Sequence, residues 1–177
     1  MGGSGNDLVG GGAGADYMDG GAGYNSLYYG DSSSGVTINL FAGTGTGGDA
    51  QGDTFLNFQA VYGSNFADTI YGDNIANVIS GGGGNDVIIG YGGNDYLLGG
   101  AGNDSFVYSA VGFGHDEIGD FTIGQDKIYV STGVAANFGV LTLTASGANT
   151  IVTIGTDSIQ IDGLTPAQLH ASDFIFY

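Results

Sequence analysis

GGGGNDVIIGYGGNDYLLGGAGND, residues 81–104, sets ten glycines and three aspartates beside a regular scatter of large apolar residues. Glycine loses more backbone freedom on folding than any other residue, so it must supply something that other residues cannot. The stretch divides into units of nine: GGGGNDVII (81–89), GYGGNDYLL (90–98) and the start of GGAGNDSFV (99–107). Upstream the period continues through GSNFADTIY (63–71) and GDNIANVIS (72–80), and GGSGNDLVG (2–10), GGAGADYMD (11–19) and GGAGYNSLY (20–28) abut at the N-terminus. The sixth place holds Asp7, Asp16, Asn25, Asp68, Asn77, Asp86, Asp95 and Asp104. The eighth holds Val9, Met18, Leu27, Ile70, Ile79, Ile88, Leu97 and Phe106. A fixed short period of this kind is the signature of a solenoid.

One unit explains itself. Four or five glycine-rich positions form a turn whose dihedrals and close backbone approach suit glycine. The next three residues form a short strand whose middle side chain points inward. Two units then make one coil with a strand on each side, so units n and n+2 stack. The resulting class is all-β, a right-handed parallel β-roll. Its core is thin. Ordering a residue's backbone costs about 1–2 kcal/mol, whereas the one inward apolar side chain per unit returns about 1.5–3 kcal/mol. Stacked carboxylates add repulsion, so something must bind between the turns.

Composition narrows what that is. The 177 residues carry 18 Asp and Glu, two His and a single basic residue, Lys127, for a net charge of −17. Such a chain repels itself unless cations neutralise it, and it lacks the Lys and Arg that nucleic acid requires. With no Cys, disulfides and thiolate zinc sites are excluded. No apolar run approaches the roughly 18–20 residues of a membrane span. A donor set of oxygens alone describes a hard cation, and flexible many-ligand turns suit calcium over magnesium.

The units resemble the GGxGxDxUx nonapeptide, with U a large apolar residue, of the RTX (repeats-in-toxin, hemolysin-type calcium-binding) family. The resemblance implies several Ca²⁺ ions, each lying between the turns of units n and n+2. Carbonyls at places two and four and the sixth-place Asp come from one unit; carbonyls at places one and three and the second Asp come from the other. It implies a site from Gly82, Gly84 and Asp86 with Gly99, Ala101 and Asp104, and another from Ser64, Phe66 and Asp68 with Gly81, Gly83 and Asp86. Asp73, Ile75 and Asn77 with Gly90, Gly92 and Asp95 give a third, beside which Gly93 offers a further carbonyl. Gly3, Gly5 and Asp7 with Gly20, Ala22 and Asn25 give a fourth, and Gly12, Gly14 and Asp16 a half-site. Asn25 and Asn77 replace a carboxylate by a neutral oxygen, which predicts weaker binding there. Units 63–71 and 72–80 lack the second and fourth glycines, which predicts altered turns. The alternative is an ion-free glycine-rich solenoid.

Residues 29–62 break the period. VTINL (36–40) alternates as a strand does, FAGTGTGGDAQGD (41–53) reads as a loop, and Val36 and Val61 are the inward positions. The roll is expected to continue through this irregular coil, giving a first domain over 1–107. GTGTGG lacks the Lys and helix of a phosphate-binding loop. From 108 the stretches DEIGDF, DKIYVS, VLTLTAS, TIVTIGT and DSIQIDG read as a β-meander, and Thr165-Pro166 opens a short helix through AQLHASD. Residues 108–177 resemble the C-terminal region of RTX proteins exported by type I secretion, on FGHDEIGDFTIGQDKI, LTPAQL and the acidic residue before the terminal FIFY. That implies an uncleaved export signal read by the type I secretion apparatus, and a cap on the solenoid's end. Asp116, Asp120 and Asp126 are candidate ligands for a further ion.

His115 and His170 stand outside any HExxH motif or catalytic triad, and no paired-carboxylate arrangement remains after the repeat has used the aspartates. The sequence therefore reads as a non-enzymatic, secreted or cell-surface bacterial module that folds on Ca²⁺. Because residues 2–10 already lie inside a repeat, any catalytic domain is expected upstream. A second reading is an adhesive or carbohydrate-binding module, with outward Tyr17, Tyr28, Tyr71 and Tyr96 meeting a glycan. Ice binding is disfavoured by the lack of a regular Thr ladder.

Overall fold

The structure, a computed structural model, describes residues 1–177. The first half contains β1 (Leu8–Val9), β2 (Tyr17–Asp19), β3 (Ser26–Tyr28), β4 (Thr37–Asn39), β5 (Thr44–Thr46), β6 (Thr54–Leu56), β7 (Ala60–Tyr62), β8 (Thr69–Tyr71) and β9 (Val78–Gly83). The second contains β10 (Val87–Ile89), β11 (Tyr96–Ala101), β12 (Ser105–Tyr108), β13 (His115–Ile118), β14 (Lys127–Val130), β15 (Thr142–Ser146), β16 (Asn149–Ile154), β17 (Asp157–Ile161) and β18 (Phe174–Phe176). They form two nine-stranded sheets, ordered β1-β3-β7-β9-β11-β13-β17-β16-β15 and β18-β14-β12-β10-β8-β4-β5-β6-β2. Successive repeat strands fall in alternate sheets, which is the parallel β-roll.

The eighth-place residues stack as the period requires. In the first sheet Val9, Leu27, Val61, Ile79, Leu97, Ile118 and Ile161 lie in one register column. In the second, Ile38, Ile70, Ile88, Phe106, Ile128 and Phe174 do the same. Both columns enter one cluster of 27 buried hydrophobic residues that runs from Met18 to Phe174. Seven of the nine strands in the first sheet, β1 to β17, are joined by parallel pairings alone.

The interruption at 29–62 acts differently on the two sheets. In the first, β3 pairs directly with β7, Leu27 opposite Val61. In the second, β6, β5 and β4 are interposed between β2 and β8, and β5 runs antiparallel to both neighbours. The stretch read as a loop, 41–53, thus supplies β5 and a 3-10 turn, Gly48–Ala50. Three strands stand on one side where one step is taken on the other. The inserted strands are held by Tyr29, whose hydroxyl donates to Asp53 Oδ2 at 2.7 Å, and by Phe55 packed edge-on against Phe58.

The tail is only partly the expected meander. β15, β16 and β17 are antiparallel neighbours, but β13 and β14 pair parallel with β11 and β12 of the roll, and β17 and β18 pair parallel with β13 and β14 in turn. The roll continues past the last nonapeptide because Asp116 and Asp126 accept the backbone N–H groups of Asp95 and Asp104, as the repeat aspartates do. The expected short helix is absent: Pro166–Gln168 is a turn, and only Ala171–Asp173 is helical, as one 3-10 turn. Gln168 Oε1 accepts both the N–H and the hydroxyl of Thr165, closing that turn on itself. No helix is long and apolar enough to cross a membrane.

Candidate metal centres

Two ladders of side-chain oxygens run along the edges of the roll, one on each side. In one, Val36 N–H donates to Asp68 Oδ1, Asp68 N–H to Asp86, Asp86 N–H to Asp104 and Asp104 N–H to Asp126, at 2.7–2.9 Å. In the other, Asp7 N–H donates to Asn25, Asn25 N–H to Gln59, Asn77 N–H to Asp95 and Asp95 N–H to Asp116, at 2.9–3.1 Å. Asn25, Asp86, Asp95 and Asp104 thus each use one side-chain oxygen to satisfy the backbone donor two units back, and Asp68 does so for Val36, where an unpaired N–H would be costly.

The second oxygen is the informative one. Oδ2 of Asp7, Asp86, Asp95 and Asp104 is buried and has no hydrogen-bond partner. Buried carboxylate oxygens without a partner are strongly disfavoured. No cationic side chain can reach them, because Lys127 donates to Ser172 O and lies 3.9 Å from Asp173. In each repeat the free oxygen lies over the first-place glycine: a methyl group at Gly81, Gly90 or Gly99 would land on Oδ2 of Asp86, Asp95 or Asp104. The turn carbonyls lie close against the glycines stacked on them. A methyl at Gly100 or Gly102 would strike Gly82 O or Gly84 O, and one at Gly93 or Gly114 would meet Ile75 O or Gly93 O. The second- and fourth-place glycines also carry positive φ, +107° and +108° at Gly82 and Gly84.

This donor set fits the hard cation inferred from the sequence: carboxylate and carbonyl oxygens, with charge uncompensated within the chain. No three acidic or imidazole side chains cluster, as expected of turns that give mostly backbone oxygens and one carboxylate each. Several candidate carbonyls accept a backbone N–H as well: Ser64 O from Gly83, Asp73 O from Gly92, Gly3 O from Ala22 and Ala101 O from Gly84. A carbonyl has two lone pairs, so one stays free at each.

Charge and burial register in the acidities. Without a bound cation, burial pushes Asp86 up to about 7, with the carboxylates of Asp68 and Asp104 adding to the rise against the donated Asp68 N–H. Asp95 also rises to about 7, and Asp116 to about 8, again chiefly through burial. Asp68, Asp104 and Asp126 are raised for the same leading reason.

The structure separates the sequence-derived candidates into kinds. Gly82, Gly84 and Asp86 stack against Gly99, Ala101 and Asp104, with Gly82 opposite Gly100 and Gly83 opposite Ala101 in the β9–β11 pairing. In unit 63–71, Ser64 and Phe66 build a different turn, in which Ser64 Oγ takes Phe66 N–H at 3.0 Å and donates to Asp68 Oδ1 at 2.8 Å. Asp68 Oδ2 accepts Ser64 N–H, so this carboxylate, unlike that of Asp86 above it, is supplied with donors. Unit 72–80 closes likewise through Asp73 Oδ1 and Ile75 N–H, while Asn77 Oδ1 takes Asp73 N–H and its Nδ2 stays buried and unpaired. Asn25 instead donates Nδ2 to Gly21 O and Asn57 O. Its amide thus occupies with a proton donor the place a cation takes beside an aspartate. Gly12, Gly14 and Asp16 meet no nonapeptide turn; Asp53 Oδ1 accepts Asp16 N–H at 2.8 Å.

Asp116 is not brought together with Asp120 and Asp126, which lie close enough to each other for the Asp120 carboxylate to add to the burial that raises the pKa of Asp126. Asp116 belongs to the ladder of Asp95, whereas Asp126 continues that of Asp104 and Asp120 accepts the N–H groups of Gly99 and Gly100. Their spacing in sequence suggested one cluster, but Asp116 lies on β13 in the first sheet, and the chain then crosses to β14 in the second, which Asp126 directly precedes. Sequence reading also missed Gln59 and Asp53, which replace repeat residues across the interruption. Nothing in the nine-residue period marks them, because the inserted strands shift them out of phase. His115 is exposed, its Nδ1 2.9 Å from Ser158 Oγ, and His170 caps the 3-10 turn. Of the outward tyrosines, Tyr17 is exposed, whereas Tyr28, Tyr71 and Tyr96 are half-buried; Tyr71 stacks on Tyr91 at 6.1 Å.

A parallel roll with interleaved carbonyls and unpartnered carboxylate oxygens defines a cation-binding repeat solenoid. Residues 1–27 and 71–106 match the model of the RTX calcium-binding nonapeptide repeat, in four copies. No curated protein sequence matches the chain. Among solved structures, it is similar to the extracellular lipase LipA from Serratia marcescens, at 18% identity and a TM-score of 0.45, over 99% of this chain and 38% of that one. It is also similar to the AlgE6R2 subunit of the Azotobacter vinelandii mannuronan C5-epimerase, at 24% identity and a TM-score of 0.42, over 98% and 92% of the two chains. The AlgE6R3 subunit of the same epimerase matches at 30% identity and a TM-score of 0.29, over 64% of this chain and 80% of that one.

Proposed function

We propose that this chain is a calcium-gated folding module of a larger secreted bacterial protein. In calcium-poor cytoplasm, net charge and glycine content keep it unfolded and fit for threading through a type I secretion apparatus. Outside the cell, Ca²⁺ neutralises the two aspartate ladders and drives the roll to form. Residues 1–107 act as the ion-binding roll, and 108–177 as its cap and export region. Catalysis, where the whole protein performs any, belongs to a domain upstream. The observation that carries this reading is the row of buried, unpartnered Oδ2 atoms at Asp7, Asp86, Asp95 and Asp104, because a folded state that leaves them bare is penalised.

Each ion with a dissociation constant near 10⁻⁴–10⁻³ M adds about 0.4–1.4 kcal/mol at millimolar Ca²⁺, and several together decide a marginal balance. Circular dichroism tests it: Ca²⁺ converts coil to β-structure, Mg²⁺ at the same concentration does not, and a roll fully folded in excess EDTA refutes the proposal. A second reading, a glycan-binding face, rests on the Tyr71–Tyr91 stack, with Tyr91 40% exposed. A glycan array probed in the presence of Ca²⁺ separates it from the first.

A further inference from the structure

We infer that the open edge of the first sheet, β15, is a self-association surface, on which a second copy of this chain pairs its own β15 antiparallel about a two-fold axis. The pairing goes beyond ion binding and uses none of the residues assigned to the ladders.

The two sheets end in four edge strands, β1, β15, β18 and β2. A sheet edge bares backbone N–H and C=O groups that template pairing with another chain, and proteins blunt such edges by keeping them short or charged. Three of the four are blunted in this way. β1 has two residues and follows Asp7, β2 has three and ends in Asp19, and β18 has three and follows Asp173. β15 has neither protection. It runs five residues, Thr142–Ser146, four of them exposed, with no charge, no proline and an unbroken register against β16.

Charge selects the occupant. At a net charge of −17, two copies repel wherever their aspartates face each other. Between Lys127 and Asp157 there is no Asp, Glu, Lys or Arg, and this uncharged run contains both β15 and β16. Asp157 and Asp162 lie at the two ends of β17, two strands in from the edge. They accept from Gly112 N–H and from the Asn149 and Gln160 amides at 2.7–2.9 Å. A basic partner finds no counter-charge on β15, whereas a second copy meets it without opposing carboxylates. A two-fold axis through Thr144 sets Thr142 opposite Ser146, and brings Val140, 58% exposed, toward Ala148 of the other copy. Each chain has one such edge, so the contact is isologous and closes at a dimer.

Sedimentation of the full chain in Ca²⁺ tests the pairing. The parent is expected to form a concentration-dependent dimer. Thr144→Asp and Thr144→Lys each set like charges face to face at the axis, so each alone is expected to be monomeric with the circular dichroism of the parent. Mixing the two variants restores the dimer, and Thr144→Val keeps it. A parent that stays monomeric throughout the concentration series, charged variants that still dimerise alone, or a mixture that does not, overturns the inference. A second arm adds no charge to the edge. The chain has no cysteine, and residues directly opposite in an antiparallel pair have Cα atoms about 4.5–5.5 Å apart, within the span of a disulfide. Thr144→Cys is therefore expected to cross-link to its own copy under mild oxidation, whereas Phe41→Cys, 68% exposed on the inserted segment, is not. No link through Thr144→Cys, or equal linking at both positions, overturns the assignment.

Discussion

Replacing Asp104 by Asn separates the ion from the fold. Asp104 Oδ1 accepts Asp86 N–H at 2.9 Å and Oδ2 has no partner, so the amide keeps the hydrogen bond and puts a donor where the cation ligand was. Without calcium, the substitution removes a buried charge already disfavoured by desolvation and by Asp126 and Asp120. The ion-free variant is therefore at least as stable as the parent. With calcium the order reverses. Losing one site with a dissociation constant of about 10⁻⁴–10⁻³ M at 10 mM Ca²⁺ forfeits roughly 1.4–2.7 kcal/mol, or about 3–11 °C of melting temperature for a chain of this size. Melts of both proteins, in chelator and in 10 mM Ca²⁺, read the crossover. A variant that gains as much from calcium as the parent, or that is clearly less stable in chelator at pH 8, refutes the reasoning.

The raised acidities give a pH dependence of fixed sign. Asp86 and Asp95 are pushed up to about 7 and Asp116 to about 8 from the ordinary 3.8 of an aspartate, so between pH 4 and 8 the ion-free fold holds protons that the unfolded chain releases. Stability in chelator then falls as pH rises through that window, while apparent Ca²⁺ affinity rises; urea melts at pH 5 and 8 check the first, and a flat or rising ion-free profile counts against it. Gly99→Ala puts a methyl onto Asp104 Oδ2 and within 2.8 Å of its Cβ and Cγ, which predicts a right-shifted calcium titration of folding. Gly133→Ala, whose added methyl lies 3.6 Å from Ser131 Oγ, leaves that titration unchanged.

Most of the roll was legible because its period is enforced by stereochemistry at every ninth residue. A first-place glycine leaves room for the carboxylate, second- and fourth-place glycines take positive φ, and an eighth-place apolar residue fills one column. Substitutions are legible for the same reason: Ser64 and Asp73, standing where glycine is expected, rebuild their turns with their own side chains. Two things were not legible. The inserted strands β4–β6 have no period of their own, so Gln59 and Asp53 assume repeat roles that only the folded chain discloses. Past 108 the nine-residue period stops while the geometry continues, because the ladder needs only an oxygen at the right height.

That distinction also orders the candidate sites. A sixth-place carboxylate signals a ligand only when its second oxygen is left over, and this depends on what else the turn offers. At Asp68 the hydroxyl and N–H of Ser64 supply donors, and at Asn25 the amide itself bridges Gly21 O and Asn57 O. At Asp7, Asp86, Asp95 and Asp104 no group of the protein takes the second oxygen. The turns that depart from the glycine pattern are thus partly self-sufficient, whereas those with the purest pattern depend most on an added cation. Calcium dependence should be concentrated in the turns that carry Asp7, Asp86, Asp95 and Asp104, where the sequence is least able to satisfy itself.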